Sequence, residues 1–124
     1  MDMLYYIYIG SNRVTIGHLS KIAGGMFMAV SSCNKAAKVI DGIRERYNTS
    51  ILYEESTPQK DSQDITFLHK RFPRVYIILI TEGLQKEHRK LYLQAGVNNT
   101  LSPMASEESL QQMTKSLRLR KEHK

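Results

Sequence analysis

Carboxylates and hydroxyls stand at the ends of two predicted strands, where parallel α/β sheets commonly bind ligands. Glu54 and Glu55 end one apolar run, and Thr81 and Glu82 end the next. Carboxylates in such a place can act as nucleophiles, can bind a cation together, or can form a solvated acidic rim. We favour the acidic rim over a cation site for the three glutamates as a group.

The histidines, the single cysteine and the glycines after the first strand predict no metal, cofactor or catalytic site. His18, His69, His88 and His123 are scattered without the spacing of metal ligands. Cys33 opens a predicted helix, where a thiol pKa can fall, but no histidine or acid pairs with it in the sequence. The segment IGSNRVTIG after the first strand lacks the GxGxxG spacing of a phosphate-binding loop. We therefore expect a small buried cysteine and no metal-binding histidine cluster or phosphate-binding loop.

Strands and helices alternate along the chain. Short apolar runs predict strands at LYYIYIG, MFMAVSS, SILYE, VYIILIT and, more weakly, VNNTL. Helical spacing is most regular in the second helix, at Ala36, Val39, Ile40, Ile43 and Tyr47. Five strands interleaved with five helices predict a three-layer α/β sandwich. The flavodoxin-like strand order 2-1-3-4-5 fits a parallel sheet of this size.

Local signals predict where several helices begin and end. Asn12 or Thr15 is expected to cap the first helix, and Gly96 to end the fourth. A turn-rich segment, ESTPQKDSQ, is expected to precede a third helix around Ile65–Lys70. These boundaries place the carboxylates of the third strand directly before a turn.

The composition is that of one globular domain. The length of 124 residues, the apolar fraction of 41% and the charged fraction of 24% are ordinary values. No apolar run approaches the roughly 20 residues needed to cross a bilayer. The N-terminal segment MDMLYYIYIG lacks a basic flank and a cleavage site, so no signal peptide is predicted. A single cysteine suits a reducing compartment, and we expect a cytoplasmic protein.

Positive charge is concentrated at the C-terminus. Residues 115–124 contain five cationic side chains against Glu122, a net of +4 in a chain whose total is +6. This segment could attract nucleic acid or anionic lipid, could be a solvated helix end, or could begin a linker. We predict a domain over residues 1–118 and a basic tail or linker to a missing output domain over 119–124. Nucleic-acid binding within the domain is not expected.

The segment RFPRVYIILITEGLQKEHRKLYLQAGVNNTLSPMASEESLQQM reads as strand, helix, strand, turn and helix. It resembles the second half of a bacterial response-regulator receiver domain, a signal-transduction module of two-component systems. The resemblance covers essentially the whole chain and is specific from about Ser50 onward. Its anchor is the interval of four residues from Glu54 to Pro58, which receivers have between the phospho-acceptor and a proline.

The resemblance implies a set of chemical positions that this chain fills differently. In receivers, an acidic pair after the first strand binds a divalent cation, and an aspartate that ends the third strand accepts the phosphoryl group. The acidic pair falls here on Gly10 and Ser11, and the acceptor position falls on Glu54. Neither Gly10 nor Ser11 supplies a carboxylate, and glutamate is not the usual acceptor.

Of the remaining receiver positions, the chain keeps the switch hydroxyl and alters the other two. Thr81 matches the switch hydroxyl that ends the fourth strand of receivers, and Thr100 takes the place of an aromatic residue in the fifth. The segment from Gly96 to Pro103 is one residue shorter than in receivers, and Ser102 stands where a lysine would precede the proline. A cis peptide bond before Pro103 stays open at this stage.

Three interpretations of Glu54 follow from these positions. Its carboxylate could imitate the phosphorylated state, could be a vestigial group at an exposed strand end, or could accept hydrogen bonds from Thr81 or nearby backbone amides. Thr81 itself could act as a switch, or could satisfy a backbone carbonyl or cap the next helix.

The resemblance predicts a non-catalytic, pseudo-receiver module that acts through protein contacts. Receivers commonly pair through their fourth helix, fifth strand and fifth helix, so a homodimer or a contact with a partner protein or output domain is expected there. The corresponding residues are Gln85, His88, Arg89, Tyr92, Thr100 and Gln111. The chain is then the N-terminal regulatory part of a larger bacterial protein.

Two alternatives accompany this prediction. The chain could be a genuine phospho-acceptor that uses Glu54 or Asp61, or it could bind nucleic acid through its tail. Its opening, YYIYIGSN, also resembles regulatory segments of bacterial sugar-phosphate transferases in polysaccharide synthesis.

Overall fold

The computed structural model describes residues 3–44 and 46–122. The strands are β1 (Tyr5–Ile9), β2 (Met26–Val30), β3 (Thr49–Glu54), β4 (Tyr76–Ile80) and β5 (Asn99–Leu101). The helices are α1 (Arg13–Ile22), α2 (Cys33–Asp41), α3 (Pro58–Arg71), α4 (Lys86–Ala95) and α5 (Glu107–Glu122), with a 3-10 turn, η1, at Arg46–Asn48 before β3.

The five strands form one parallel sheet in the order β2-β1-β3-β4-β5. The predicted strand order, the parallel arrangement and the interleaved helices are thus confirmed. In the register, Ile9 lies beside Tyr53, and Glu54 lies beside Ile80. The carboxyl ends of β1, β3 and β4 therefore meet at one edge of the sheet, and the residues that follow them are neighbours.

Two apolar layers enclose the sheet. On one face, Ile7, Ile51 and Ile77 pack with buried residues of α2, α3 and α4. On the other face, Tyr6, Leu52 and Ile78 pack with Leu19 of α1 and Leu110 of α5. Successive residues of a strand point to opposite faces, so the continuous apolar runs of β1, β3 and β4 supply both layers at once. The chain is accordingly a three-layer sandwich.

Two helix boundaries differ from those predicted. The third helix begins at Pro58, well before Ile65, because a proline in the first turn of a helix has no amide that needs a partner. The second helix ends at Asp41, with Gly42 as its C-terminal cap, although the apolar spacing continues to Tyr47. Asn12 caps α1 as expected, with Oδ1 accepting from the amides of Val14 and Thr15.

The C-terminal helix passes the predicted domain boundary. Helix α5 continues to Glu122, beyond residue 118, while residues 123 and 124 lie outside the described part of the chain. None of the helices in residues 3–44 and 46–122 combines the length and the hydropathy that a bilayer-spanning segment requires.

Two glycines should respond in opposite ways to replacement by alanine. Gly96, after α4, has φ +126°, and an added Cβ would lie 2.7 Å from Cγ of His69 on α3. We expect Gly96→Ala to lower the free energy of unfolding by roughly 1–3 kcal/mol in urea denaturation. Gly17, within α1, has open space around its Cα, so Gly17→Ala should raise that free energy by about 0.5–1 kcal/mol. A loss of stability in the Gly17 variant equal to that in the Gly96 variant would contradict this expectation.

Candidate functional site

Four carboxylates near the carboxyl edge of the sheet are each bound by a hydroxyl group. The donors and acceptors form four pairs: Tyr8 with Glu54 (2.6 Å), Thr81 with Glu55 (2.7 Å), Tyr92 with Asp61 (2.8 Å) and Tyr53 with Asp64 (2.6 Å). Hydrogen bonds from a hydroxyl to a carboxylate are short and stronger than bonds between neutral groups. We call this set of four pairs the hydroxyl–carboxylate belt.

Glu54 reaches from the end of β3 to the loop after β1. Its Oε1 accepts from the Tyr8 hydroxyl at 2.6 Å and from the Asn12 amide at 3.0 Å, and its Oε2 accepts from the Ser11 amide at 3.4 Å. Of the three interpretations, the geometry matches the acceptor of backbone amides. Thr81 is not among its donors. The carboxylate therefore joins β3 to the β1–α1 loop.

Gly10 provides the space for this arrangement. A Cβ at position 10 would lie 2.6 Å from Cβ, Cδ and Oε1 of Glu54, a distance that real Cβ atoms essentially never show. Any side chain at position 10 would therefore displace Glu54 from its present contacts. The receiver resemblance places an acidic residue at position 10, so that acid and the observed position of Glu54 exclude each other.

The side chains at this edge do not fit the divalent cation that the resemblance implies. Gly10 and Ser11 offer no carboxylate, and both oxygens of Glu54 already accept hydrogen bonds. Glu55 accepts from Thr81. Within residues 3–44 and 46–122, no group of three or more histidine, cysteine or acidic side chains could hold a metal ion.

Thr81 links the end of β4 to Glu55. Its buried Oγ1 donates to Oε1 of Glu55 at 2.7 Å and accepts from the Gly83 amide at 3.2 Å. The hydroxyl thus stabilises the turn after β4, which is the structural role considered for Thr81 beside the switch. It donates to a side-chain carboxylate and not to a backbone carbonyl. Sequence reasoning placed Thr81 at the end of the fourth strand, which the structure shows, but did not identify Glu55 as its partner.

Asp61 connects the β3–α3 loop to α4. Its fully buried side chain accepts at Oδ2 from the Ser56 amide (2.7 Å) and the Tyr92 hydroxyl (2.8 Å), while Oδ1 is buried without a hydrogen-bond partner. Burial, followed by the hydrogen bond and the charge of Asp61, raises the pKa of the Tyr92 phenol. Predicting Tyr92 as an interaction-surface residue was therefore wrong, because its ring is 1% exposed.

Cys33 and Tyr53 share an acidic neighbour. Asp64 accepts from the Tyr53 hydroxyl at 2.6 Å, from Nζ of Lys60 at 3.1 Å and from Sγ of Cys33 at 3.6 Å. Burial first, and then the negative charge of Asp64, raises the pKa of the Cys33 thiol. The thiol is thus held in its protonated, weakly nucleophilic form. Asp64 lies 31 residues from Cys33, so local sequence gave no signal of this pair.

The turn after β5 carries no charged side chain directed at Glu54. Ser102 is exposed, and its Oγ accepts from the Met104 amide at 3.2 Å. Pro103 follows a trans peptide bond, since the described residues contain no cis bond. Thr100 is exposed on β5. The turn is tied to α1 instead, through Nε2 of His18, which donates to the Ala105 carbonyl at 2.6 Å.

The predicted interaction residues separate into two places. Gln85 and Arg89 are exposed and His88 is partly exposed along α4. A groove of about 360 Å³ between α4 and β5 is lined by Arg89, Thr100 and the 59% exposed Leu93, which sequence reasoning missed.

Gln111 belongs to another surface. It lines a groove with Ile22 and Gly24, beside α1, and not the groove between α4 and β5. Gln111 is exposed, and its part in an interaction surface stays a prediction.

Solved receiver domains share this fold. A CheY-like receiver domain protein from Methanospirillum hungatei has a TM-score of 0.80 at 12% identity, covering 99% of this chain and 100% of that one. A CheY-like protein from Pseudomonas aeruginosa has a TM-score of 0.77 at 12% identity, covering 94% of each. A chain of the Saccharomyces cerevisiae complex between the phosphotransfer protein Ypd1 and the Ssk1 receiver domain has a TM-score of 0.65 at 12% identity, covering 90% and 86%.

No family model matches the chain, and no curated protein matches it. The likeness to solved structures thus shows that the chain has the receiver fold. A fold does not by itself define a function, so the chemistry follows from the side chains of this chain.

Three tyrosines of the belt should resist ionisation. Burial first, and then the bonded carboxylate, raises the pKa of Tyr8, Tyr53 and Tyr92 above the ordinary value of 10.0. The unfolded chain loses these protons near pH 10 and the folded chain does not. The contribution of these tyrosines to the free energy of unfolding should therefore stay constant below about pH 10 and decrease as the pH rises above it.

An alkaline titration followed by phenolate absorbance and circular dichroism measures this effect. We expect these phenols to ionise only as the fold is lost, and we expect Tyr8→Phe to reduce the alkaline loss of stability. Ionisation of all seven tyrosines at their ordinary pKa, with the fold intact, would contradict the expectation.

Proposed function

We propose that this chain is a regulatory module with the receiver fold that acts through protein contacts and does not accept a phosphoryl group. The observation that carries the proposal is the bridge from Glu54 to Tyr8 and to the amides of Ser11 and Asn12. This bridge occupies the carboxylate that the resemblance makes the phospho-acceptor.

Phosphoryl transfer to a carboxylate needs a free nucleophile and positive charge around the phosphoryl oxygens. In this chain, Glu54 accepts three hydrogen bonds, and positions 10 and 11 supply no acid to hold a cation. Ser102 replaces the lysine that would neutralise the incoming group. The free nucleophile, the cation ligands and the lysine are therefore each missing at a different position. This supports a module that does not accept a phosphoryl group.

The alternative acceptor, Asp61, is a poor nucleophile for a separate reason. Its side chain is fully buried, and one oxygen is bound by the Ser56 amide and the Tyr92 hydroxyl. A phosphoryl donor cannot reach a carboxylate that solvent does not reach. The burial of Asp61 thus supports the same conclusion as the bridge at Glu54.

The bridge also fixes the loops that phosphorylation would otherwise rearrange. Glu54 holds the β1–α1 loop, and Glu55 holds the turn after β4 through Thr81. Since both contacts are built from the chain itself, the module keeps one arrangement without a phosphoryl signal. We infer that its partners bind a surface that does not change with phosphorylation. The output of the module is then regulated by the presence or absence of the partner.

The contact surface that we propose is the groove between α4 and β5. Leu93 is 59% exposed and lies beside Arg89 and Thr100. A second copy of the chain is the occupant that we test, and an output domain or a separate protein is the alternative partner. Leu93 supplies the apolar centre that such contacts use, with polar groups around it.

Acetyl phosphate with Mg²⁺ tests the chemical part of the proposal. We expect the intact mass of the chain to stay unchanged after incubation, because Glu54 and Asp61 both accept hydrogen bonds and neither forms an ion pair with a described residue. A receiver domain that carries the full aspartate and lysine set serves as the positive control. A phosphoryl adduct on Glu54 or Asp61 would overturn the proposal, and an adduct that disappears in Glu54→Gln would identify the acceptor.

Sedimentation velocity over a wide concentration range tests the surface. We expect the chain to form a dimer and Leu93→Glu to remain a monomer, because a charge at the centre of an apolar contact must be desolvated. Val14→Glu is the matched control, since Val14 is 72% exposed on α1 and should leave the dimer intact. A monomer at every concentration would contradict the homodimer, and equal loss in both variants would contradict the location.

A further inference from the structure

A second pocket lies at the amino end of the sheet, on the edge opposite Glu54. It has a volume of about 500 Å³, and its described lining comes from residues 41, 43, 44, 46 and 47 on one side and 72–74 on the other. Three arginines line it, Arg44, Arg46 and Arg74. None of these residues takes part in the hydroxyl–carboxylate belt, so the pocket is independent of the function proposed above.

Positive charge dominates the described lining of this pocket. Asp41 is the one carboxylate among the lining residues, and it forms a 2.7 Å ion pair with Arg71. The charge of Asp41 is thus already matched by an arginine outside the lining. The charges of Arg44, Arg46 and Arg74 have no ion-pair partner within the described part of the chain. Helix α5, whose sequence becomes basic after Lys115, contacts the adjoining turn η1.

Aromatic rings hold two of these arginines in place. The guanidinium of Arg46 lies 5.1 Å from the centre of the Phe72 ring, and that of Arg74 lies 4.9 Å from the centre of the Tyr47 ring. Arg74 Nη1 also donates to the Tyr47 hydroxyl. Stacked guanidinium groups are fixed before a ligand arrives, so less freedom is lost when they bind one.

Arg46 retains an unused donor. Its Nε is buried and has no hydrogen-bond partner. A buried N–H without an acceptor is unfavourable, and such groups are rare in folded proteins. An anion in the pocket would meet the unmatched charge of this guanidinium group and of those of Arg44 and Arg74.

We propose that this pocket binds the phosphate group of a small phosphorylated molecule of about the size of a nucleotide. The planar fork of an arginine can bind two phosphate oxygens at once, and three arginines line this pocket. The volume falls within the range of about 300–1,000 Å³ that is usual for small-molecule sites. Ile43 and Pro73 add an apolar wall against which the body of the ligand packs.

Nuclear magnetic resonance of the full chain tests this proposal, with the Nε–H signal of Arg46 as the reporter. We expect pyrophosphate and adenosine diphosphate to shift this signal in a saturable manner, and adenosine alone to leave it unchanged. Adenosine diphosphate should bind more tightly than pyrophosphate, because its body contacts the apolar wall. No shift with either phosphate compound would overturn the proposal.

Charge-removing variants distinguish the pocket from general basicity. Arg44→Gln and Arg74→Gln should each weaken binding roughly tenfold or more, since each removes a charged donor. Arg13→Gln removes the same charge at the opposite edge, where Arg13 is exposed, and should leave the affinity unchanged. Thermal melting confirms that each variant is folded. Equal weakening by all three, or binding of single-stranded oligonucleotides without binding of the small phosphates, would contradict the proposal.

Discussion

The carboxylate of Glu54 must be bound by donors at the point where β3 ends, and this constraint organises the functional edge of the molecule. A half-buried carboxylate is stable only when hydrogen bonds replace the water it loses. Tyr8 and the amides of Ser11 and Asn12 supply these bonds, and Gly10 leaves the space in which the side chain lies. The β1–α1 loop and the third strand are thereby held together by the chain's own atoms.

The other three carboxylates of the belt follow the same rule with different hydroxyls. A cation-binding edge concentrates negative charge and neutralises it with metal and lysine, whereas this edge gives each carboxylate a neutral donor. The pairing changes the ionisation of the donors, because burial and the bonded carboxylate raise the phenol pKa values of Tyr8, Tyr53 and Tyr92. The belt therefore stabilises the fold over the ordinary pH range, and its hydrogen bonds occupy both oxygens of Glu54.

Sequence patterns were sufficient for the architecture, because continuous apolar runs of strand length have few other uses in a chain this short. They were less informative wherever a contact joins distant residues. Thr81 and Glu55, or Cys33 and Asp64, are separated by 26 and 31 residues, and no local pattern marks such pairs. Tyr92 could have been placed correctly, since its helical spacing with Ala95 already put it on the buried face of α4. The arginine pocket was invisible because its two sides come from different loops.

The close contact between Gly10 and Glu54 also imposes an order on mutation. An acid introduced first at position 10 would collide with the glutamate side chain, because even a Cβ there would lie 2.6 Å from it. A change at position 54 must therefore precede any change at position 10. That first step removes the tie to the β1–α1 loop before a new side chain at position 10 can supply a contact in its place.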